Sequence, residues 1–182
     1  MSSPLLVVDV QPAYHTYCDY LMPALVKKLN ATRNPVTFLW VGDGITTDSQ
    51  AEVYSYYVDH GVSFRVLDAA YFVEKGYGYI RSAMDSGVED ADIFRIIRAM
   101  RRHCVHDARM LPEDVFEECA DLYPGLIYDS LFIPYSDVMA PLVRHSRWSV
   151  CGGGSNECLR EIELLLKGHG VGTERVDGLV YG

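Results

Sequence analysis

The chain lacks the features that define membrane, secreted and nucleic-acid-binding proteins. Its 182 residues contain no run of about 18 apolar residues, so we expect no membrane-spanning helix. The N-terminal segment 1–4 (MSSP) lacks the basic start of a secretory signal. Its 16 basic and 25 acidic side chains give a net charge of −9, which argues against a nucleic-acid partner. We therefore expect a cytoplasmic protein that binds neither membranes nor nucleic acid.

Cysteine is scarce and scattered, at Cys18, Cys104, Cys119, Cys151 and Cys158. The odd number and the irregular spacing argue against a disulfide framework and favour a reducing compartment. No CxxC or HxxxH pair occurs, so we predict no structural zinc site. A buried free cysteine usually acts as a small apolar residue, and we expect this for every cysteine except Cys158.

The apolar segments alternate between strand-like and helix-like patterns. Leu5–Val8 and Val36–Val41 are continuous apolar runs, typical of parallel strands that are buried on both faces. Helices are predicted over about 18–32 and from Thr47 or Asp48 to Val58. Further strands are predicted at 62–67 or 71–73, and at 131–133, 149–151 and 171–176. This rhythm predicts an α/β fold with a central parallel sheet.

The middle of the chain has a different pattern. Ser86 and Glu89 have the spacing of a capping box, ahead of a helix that we predict over about 88–104. A second helix is predicted over about 112–122. We therefore interpret 81–130 as a helical segment inserted into a single domain that spans 1–182.

The run Gly152–Gly154 joins a predicted strand to a predicted helix, and Cys158 falls in the first turn of that helix. A thiol near a helix N-terminus loses its proton more readily than a free thiol. The unobstructed amides of a glycine loop can also stabilise an oxyanion. This arrangement predicts a cysteine nucleophile. The loop would also suit a phosphate, but the chain has neither the lysine of a P-loop nor a GxGxxG sequence.

Two aspartates and the glycine loop follow predicted strands. Asp9 comes after the first strand, Asp43 after the second, and Gly152–Gly154 after a late one. Ligands of parallel sheets bind beyond the carboxyl ends of the strands. We therefore expect these three places to share one crevice.

Three segments carry a resemblance to a known family. They read VVDVQPAY at 7–14, YFVEK at 71–75 and GGGSNECL at 152–159. Their order, and the elements on which they fall, resemble the isochorismatase-like cysteine hydrolases, which include nicotinamidases, N-carbamoylsarcosine amidases and ureidoacrylate amidases. The resemblance covers about 1–80 and 131–182. It implies a three-layer fold around a parallel sheet, and a homo-oligomer such as a dimer or tetramer.

The resemblance implies a triad of Asp9 as general base, Lys75 as catalytic lysine and Cys158 as nucleophile. Cys158 would attack a small amide or ureido compound and form a thioester that water hydrolyses. The backbone at Gly153, Gly154 and Cys158 would hold the oxyanion, and in the family the bond matched by Gly153–Gly154 is commonly cis. The side chains that we expect near the substrate are Tyr14, Asp43, Tyr77, Tyr79 and Ser155.

Two departures from the family leave an alternative open. Its nicotinamidases carry an Asp-x-His…His metal site after the second strand, whereas Trp40–Ile45 offers only Asp43 and no histidine. We therefore predict no metal and no cofactor. The 81–130 insertion follows Lys75 closely and would reshape the pocket. The alternative is a catalytically silent scaffold that acts as a binding or interaction module.

Overall fold

The computed structural model describes residues 3–42, 45–76, 80–102, 117 and 136–182. The strands are β1 (Leu5–Val8), β2 (Val36–Val41), β3 (Tyr71–Lys75), β4 (Arg147–Gly152) and β5 (Gly172–Val180). The α-helices in the same ranges are α1 (His15–Cys18), α2 (Met22–Ala31), α3 (Gln50–Asp59), α4 (Phe64–Leu67), α5 (Arg81–Asp85), α6 (Asp90–Arg102), α7 (Ser136–Leu142) and α8 (Cys158–Gly168). Short 3-10 turns at Pro12–Tyr14 and Asp19–Leu21 precede and follow α1.

The five strands form one parallel sheet in the order β3-β2-β1-β4-β5. Strand β1 lies at its centre, with Val8 opposite Leu39 of β2 on one side and opposite Gly152 of β4 on the other. The chain adds β2 and β3 on one side of β1 and then β4 and β5 on the other, so the strand order reverses beside β1. The predicted α/β fold with a central parallel sheet is confirmed.

The two apolar runs begin and end as strands where the sequence predicts. All four residues of β1 and all six of β2 are buried, as expected for strands covered on both faces. On one face, Leu5, Val7 and Phe38 share a core with α2 and α3, where the Phe38 and Tyr57 rings lie 4.4 Å apart. Burial of this apolar surface holds the centre of the sheet in place.

Some local boundaries differ from the predicted ones. Of the two alternatives for the third strand, 62–67 is wrong: the Ser63 carbonyl accepts hydrogen bonds from the Val66 and Leu67 amides, which starts α4 instead. The helix expected to be capped by Thr47 or Asp48 is instead capped by Ser49, two or one positions later. Ser49 and Glu52 form a reciprocal capping box.

The chain divides into two compact units. The first holds Met1–Tyr77, Arg147–Leu159 and Thr173–Gly182, and therefore nearly all of the sheet. The second holds Gly78–Ser146 and Arg160–Gly172. Within the second unit, Arg160 forms an ion pair of 3.1 Å with Asp90 and Arg101 donates to the Gly168 carbonyl, so both arginines connect α6 to α8.

The predicted insertion 81–130 falls within the second unit. Helix α6 there begins two residues after the predicted start of about 88. The helix predicted over about 112–122 and the strand predicted at 131–133 lie outside the described residues, apart from Glu117. In the described ranges, no helix combines the length and apolar composition that crossing a membrane requires.

Burial of Cys151 in β4 predicts a loss of stability in alkali. Burial raises the pKa of its thiol from the ordinary 9.0 to about 12. Between these values only the unfolded chain loses the proton, so the free energy of unfolding falls as pH rises, by at most about 1.4 kcal/mol per pH unit. Urea unfolding from pH 8 to 11 should show a steeper fall for the native chain than for Cys151→Ala. Equal slopes would contradict the assignment, because the buried tyrosines are common to both proteins.

Candidate active site

The candidate site lies where the strand order reverses. Asp9 directly follows β1, Gly153 directly follows β4, and these two strands are neighbours. In open parallel sheets this switch point is where a crevice forms beyond the strand ends. A cavity of about 460 Å³ opens there, in the first unit.

The structure brings most of the sequence-predicted site residues to this cavity. Its lining includes Asp9, Tyr14, Gly153, Gly154, Ser155 and Cys158. Lys75 does not line the cavity but contacts Asp9 from the end of β3. Three predicted substrate contacts, namely Asp43, Tyr77 and Tyr79, lie outside the described residues.

Asp9 and Lys75 form a buried ion pair. Lys75 Nζ lies 3.0 Å from Asp9 Oδ2, and the exposed fractions of the two side chains are 0% and 2%. The pair spans β2, because Lys75 ends β3 opposite Val41 whereas Asp9 follows β1 on the other side of that strand. Asp9 Oδ1 accepts no hydrogen bond from the described residues. The lysine thus neutralises a carboxylate that keeps a lone pair available on its second oxygen.

The backbone of Asp9 has an uncommon conformation. Its φ of 53° is the one positive φ among the described residues other than glycine. Such a conformation costs on the order of 1–3 kcal/mol and persists where surrounding contacts impose it. The Asp9 N–H donates to the Leu39 carbonyl at 2.9 Å, and the Asp9 carbonyl accepts from Tyr181 Oη at 2.6 Å. Both backbone polar groups of Asp9, its N–H and its carbonyl, are therefore hydrogen-bonded.

The glycine loop fits closely between β1 and Tyr181. A Cβ atom at Gly152, whose φ is 104°, would overlap the Val8 carbonyl oxygen. A Cβ atom at Gly153 would overlap the hydroxyl and ring of Tyr181. These two positions therefore exclude any side chain for different reasons, one through backbone contact and the other through a buried aromatic ring.

Hydrogen bonds at the end of this loop set the start of α8. The Gly154 carbonyl accepts from the amides of Glu157 and Leu159 at 2.8 and 3.1 Å. The helix begins at Cys158, which is 8% exposed and borders the cavity. The Cys158 thiol therefore lies at the positive end of an eleven-residue helix, the position at which the sequence predicts it.

The predicted oxyanion donors are not equivalent. The Gly153 N–H donates to the Val8 carbonyl at 2.8 Å, which continues the pairing of β4 with β1 and removes this amide from the set of donors. The Gly154 N–H donates to no group among the described residues, so it is a better candidate for an oxyanion donor than the Gly153 N–H. The peptide bonds of the described residues are all trans, including Gly153–Gly154, where the resemblance implied a cis bond.

Tyr181 is a site residue that the sequence analysis missed. It borders the cavity, is 8% exposed, and its amide donates to the Gly152 carbonyl at 3.0 Å. Burial, and secondarily the charge of Asp9, raises the pKa of its phenol, so the hydroxyl stays protonated. The sequence signal that could have pointed to such a residue is the glycine run itself, because three successive glycines indicate a close neighbour.

Gln11 and Ser155 support the site through hydrogen bonds. Gln11 is fully buried; its Nε2 donates to the Val41 carbonyl at 2.8 Å and to Asp48 Oδ2 at 2.7 Å, and its Oε1 accepts from the Val41 amide. It thus ties the segment after Asp9 to the end of β2. Ser155 donates its hydroxyl to the Gly182 carbonyl and its amide to the Tyr181 carbonyl, so it anchors the end of the chain beside the cavity.

Within the described ranges, no group of three or more His, Cys, Asp or Glu side chains could hold a metal ion. Comparisons of the chain with protein-family models, with curated proteins and with solved structures found no match.

Removing only the lysine of the ion pair should destabilise the protein more than removing both charges. Lys75→Met leaves a buried carboxylate without a counter-charge and should lower the free energy of unfolding by about 3–5 kcal/mol. The double variant Asp9→Asn/Lys75→Met should recover most of that loss. The control Arg95→Met breaks the exposed pair with Asp92 and should cost less than about 1 kcal/mol. Urea denaturation at neutral pH measures all of these, and a Lys75→Met effect as small as that of Arg95→Met would contradict the assignment.

Proposed function

We propose that this protein is a cysteine hydrolase that cleaves a C–N bond of a small amide or ureido compound. One observation carries the proposal: Cys158 and Asp9 line the same cavity, and the Asp9 carboxylate forms a buried ion pair with Lys75. A nucleophile, a base and a cation that holds the base ionised are the groups that thiol-dependent acyl transfer requires.

The first step forms a bond between sulfur and carbon. Asp9, which is paired with Lys75, takes the proton of the Cys158 thiol as the sulfur attacks the carbonyl carbon of the substrate. Asp9 Oδ1 suits this task because no donor of the described residues occupies it. The π electron pair of the carbonyl moves to its oxygen and gives a tetrahedral oxyanion.

The oxyanion needs donors that are already oriented. The Gly154 N–H has no competing acceptor among the described residues and lies in the loop that leads into α8. The Cys158 N–H is the second donor that the resemblance implies. Removing one such donor in other enzymes costs about 100- to 1,000-fold in rate, so this loop would supply a substantial part of the catalysis.

The remaining steps regenerate the enzyme. Asp9 gives its proton to the nitrogen as the C–N bond breaks, and ammonia or an amine leaves a thioester on Cys158. Asp9 then takes a proton from a water molecule that attacks the thioester, and the C–S bond breaks as the sulfur recovers that proton. The sum is one amide and one water converted to one acid and one amine, with no other reactant.

The cavity supports a small organic substrate. Its volume of about 460 Å³ falls within the range of small-molecule sites. Tyr14 and Tyr17 add aromatic surface to the lining. An isochorismatase-like architecture, assembly into a homo-oligomer and a cytoplasmic location are parts of the same proposal, which the resemblance of the three motifs supports.

Replacing the nucleophile tests the mechanism. Cys158→Ala should lower ammonia release from a panel of small primary amides and N-carbamoyl compounds by about a thousandfold or more, because the proposed thioester forms on its sulfur. Cys18→Ala is the matched control, since it removes another buried thiol of the same unit and should retain activity. Unchanged turnover in Cys158→Ala would remove the mechanism.

The silent-scaffold alternative predicts a less reactive thiol at Cys158. In the enzyme, iodoacetamide should modify Cys158 faster in the native chain than in the denatured chain, and Asp9→Asn should abolish the difference. In a silent scaffold, Cys158 would react no faster than a denatured thiol in either protein, and no compound of the panel would release ammonia. Mass spectrometry of the peptide that contains Cys158 separates its reaction from those of the other cysteines.

A further inference from the structure

We propose that Tyr181 is a positioning residue of the active site. Its hydroxyl holds the Asp9 peptide in the conformation that presents the Asp9 carboxylate to Cys158. This inference rests on the proposed function and deepens it, because it names the residue that ties the base to the loop of the nucleophile.

The backbone conformation of Asp9 requires a contact that holds it. At a φ of 53° its chain leaves the regular strand, although its N–H still pairs with Leu39 of β2. Its buried carbonyl consequently needs a donor from elsewhere, since an unpaired buried carbonyl is unfavourable. The backbone angles of a residue set the direction of its Cα–Cβ bond. A return of Asp9 to extended geometry would therefore carry its carboxylate away from the present position.

Tyr181 is placed to hold the Asp9 carbonyl. Tyr181 Oη donates to the Asp9 carbonyl at 2.6 Å, and the ring lies where any side chain at Gly153 would lie. The Tyr181 backbone pairs with Gly152 on one side and with Ser155 on the other. The tyrosine is thereby fixed to the loop that leads to Cys158, while its hydroxyl fixes the residue that acts on Cys158.

The chain contains a matched control for this contact. Tyr57 is also buried, and its hydroxyl donates to the carbonyl of Val10 at 2.8 Å, one residue beyond Asp9. Tyr57 is absent from the lining of the cavity. Tyr57→Phe and Tyr181→Phe each remove one hydroxyl that donates to a backbone carbonyl, so they should lower the urea midpoint by similar amounts. A difference between them in Cys158 chemistry would then come from the position of the contact.

The experiment measures the rate constant of iodoacetamide with Cys158 across pH in the full chain. Tyr181→Phe should lower it by about 10- to 100-fold at neutral pH, because small displacements of a reacting group have effects of this size. Tyr57→Phe should stay within about twofold of the native rate. In the Asp9→Asn background, the further change Tyr181→Phe should have no effect, because the tyrosine acts through the carboxylate.

Each result decides between the two proposals. If Asp9→Asn slows the reaction but Tyr181→Phe does not, or slows it no more than Tyr57→Phe does, the positioning role is wrong and the hydrolase proposal stands. If the effects of Tyr181→Phe and Asp9→Asn simply multiply, the tyrosine does not act through Asp9 and the positioning role is again wrong. If Asp9→Asn leaves the rate unchanged, the hydrolase proposal is wrong, and the role of Tyr181 falls with it.

Discussion

The buried ion pair between Asp9 and Lys75 is the interaction on which the site depends. An isolated carboxylate buried in this position would be unfavourable. Lys75 removes the difficulty because it ends β3 at the same edge of the sheet and reaches over β2. Parallel pairing puts the ends of β1 and β3 at the same edge of the sheet, so the ion pair follows from the order of the strands.

The pairing of β4 with β1 brings Cys158 to the cavity that Asp9 also lines. Pairing continues past the end of the strands through the hydrogen bond from Gly153 to Val8, and Gly152 tolerates no side chain beside that carbonyl. The loop then turns directly into α8, whose first residue is Cys158. The absence of side chains at Gly152 and Gly153 therefore permits the contact with β1 and leaves room for the Tyr181 ring.

The sequence predicts those parts of the structure that local composition determines. Burial on both faces makes β1 and β2 continuous apolar runs, and a glycine run before an amphipathic helix indicates the position of Cys158. The contacts of Gln11 and Tyr181 could not be predicted, because Gln11 bonds to Val41 thirty residues away and Tyr181 bonds to Asp9 across 172 positions. Neither contact produces a periodic pattern in the sequence. The hydrogen bond from the Gly153 amide to Val8 could not be predicted either, because it depends on β4 being the neighbour of β1.

We propose that Asp9, Lys75 and Cys158 act on one small molecule. A crystal structure of the chain alkylated at Cys158 by iodoacetamide tests it directly, because the attached group is itself a small primary amide. We expect its carbonyl oxygen to accept a hydrogen bond from the Gly154 amide, and the Asp9 carboxylate, still paired with Lys75, to lie within hydrogen-bond reach of the attached group. A carboxamidomethyl group that points away from Asp9, with the ion pair facing a separate space, would show that the three residues do not share a substrate.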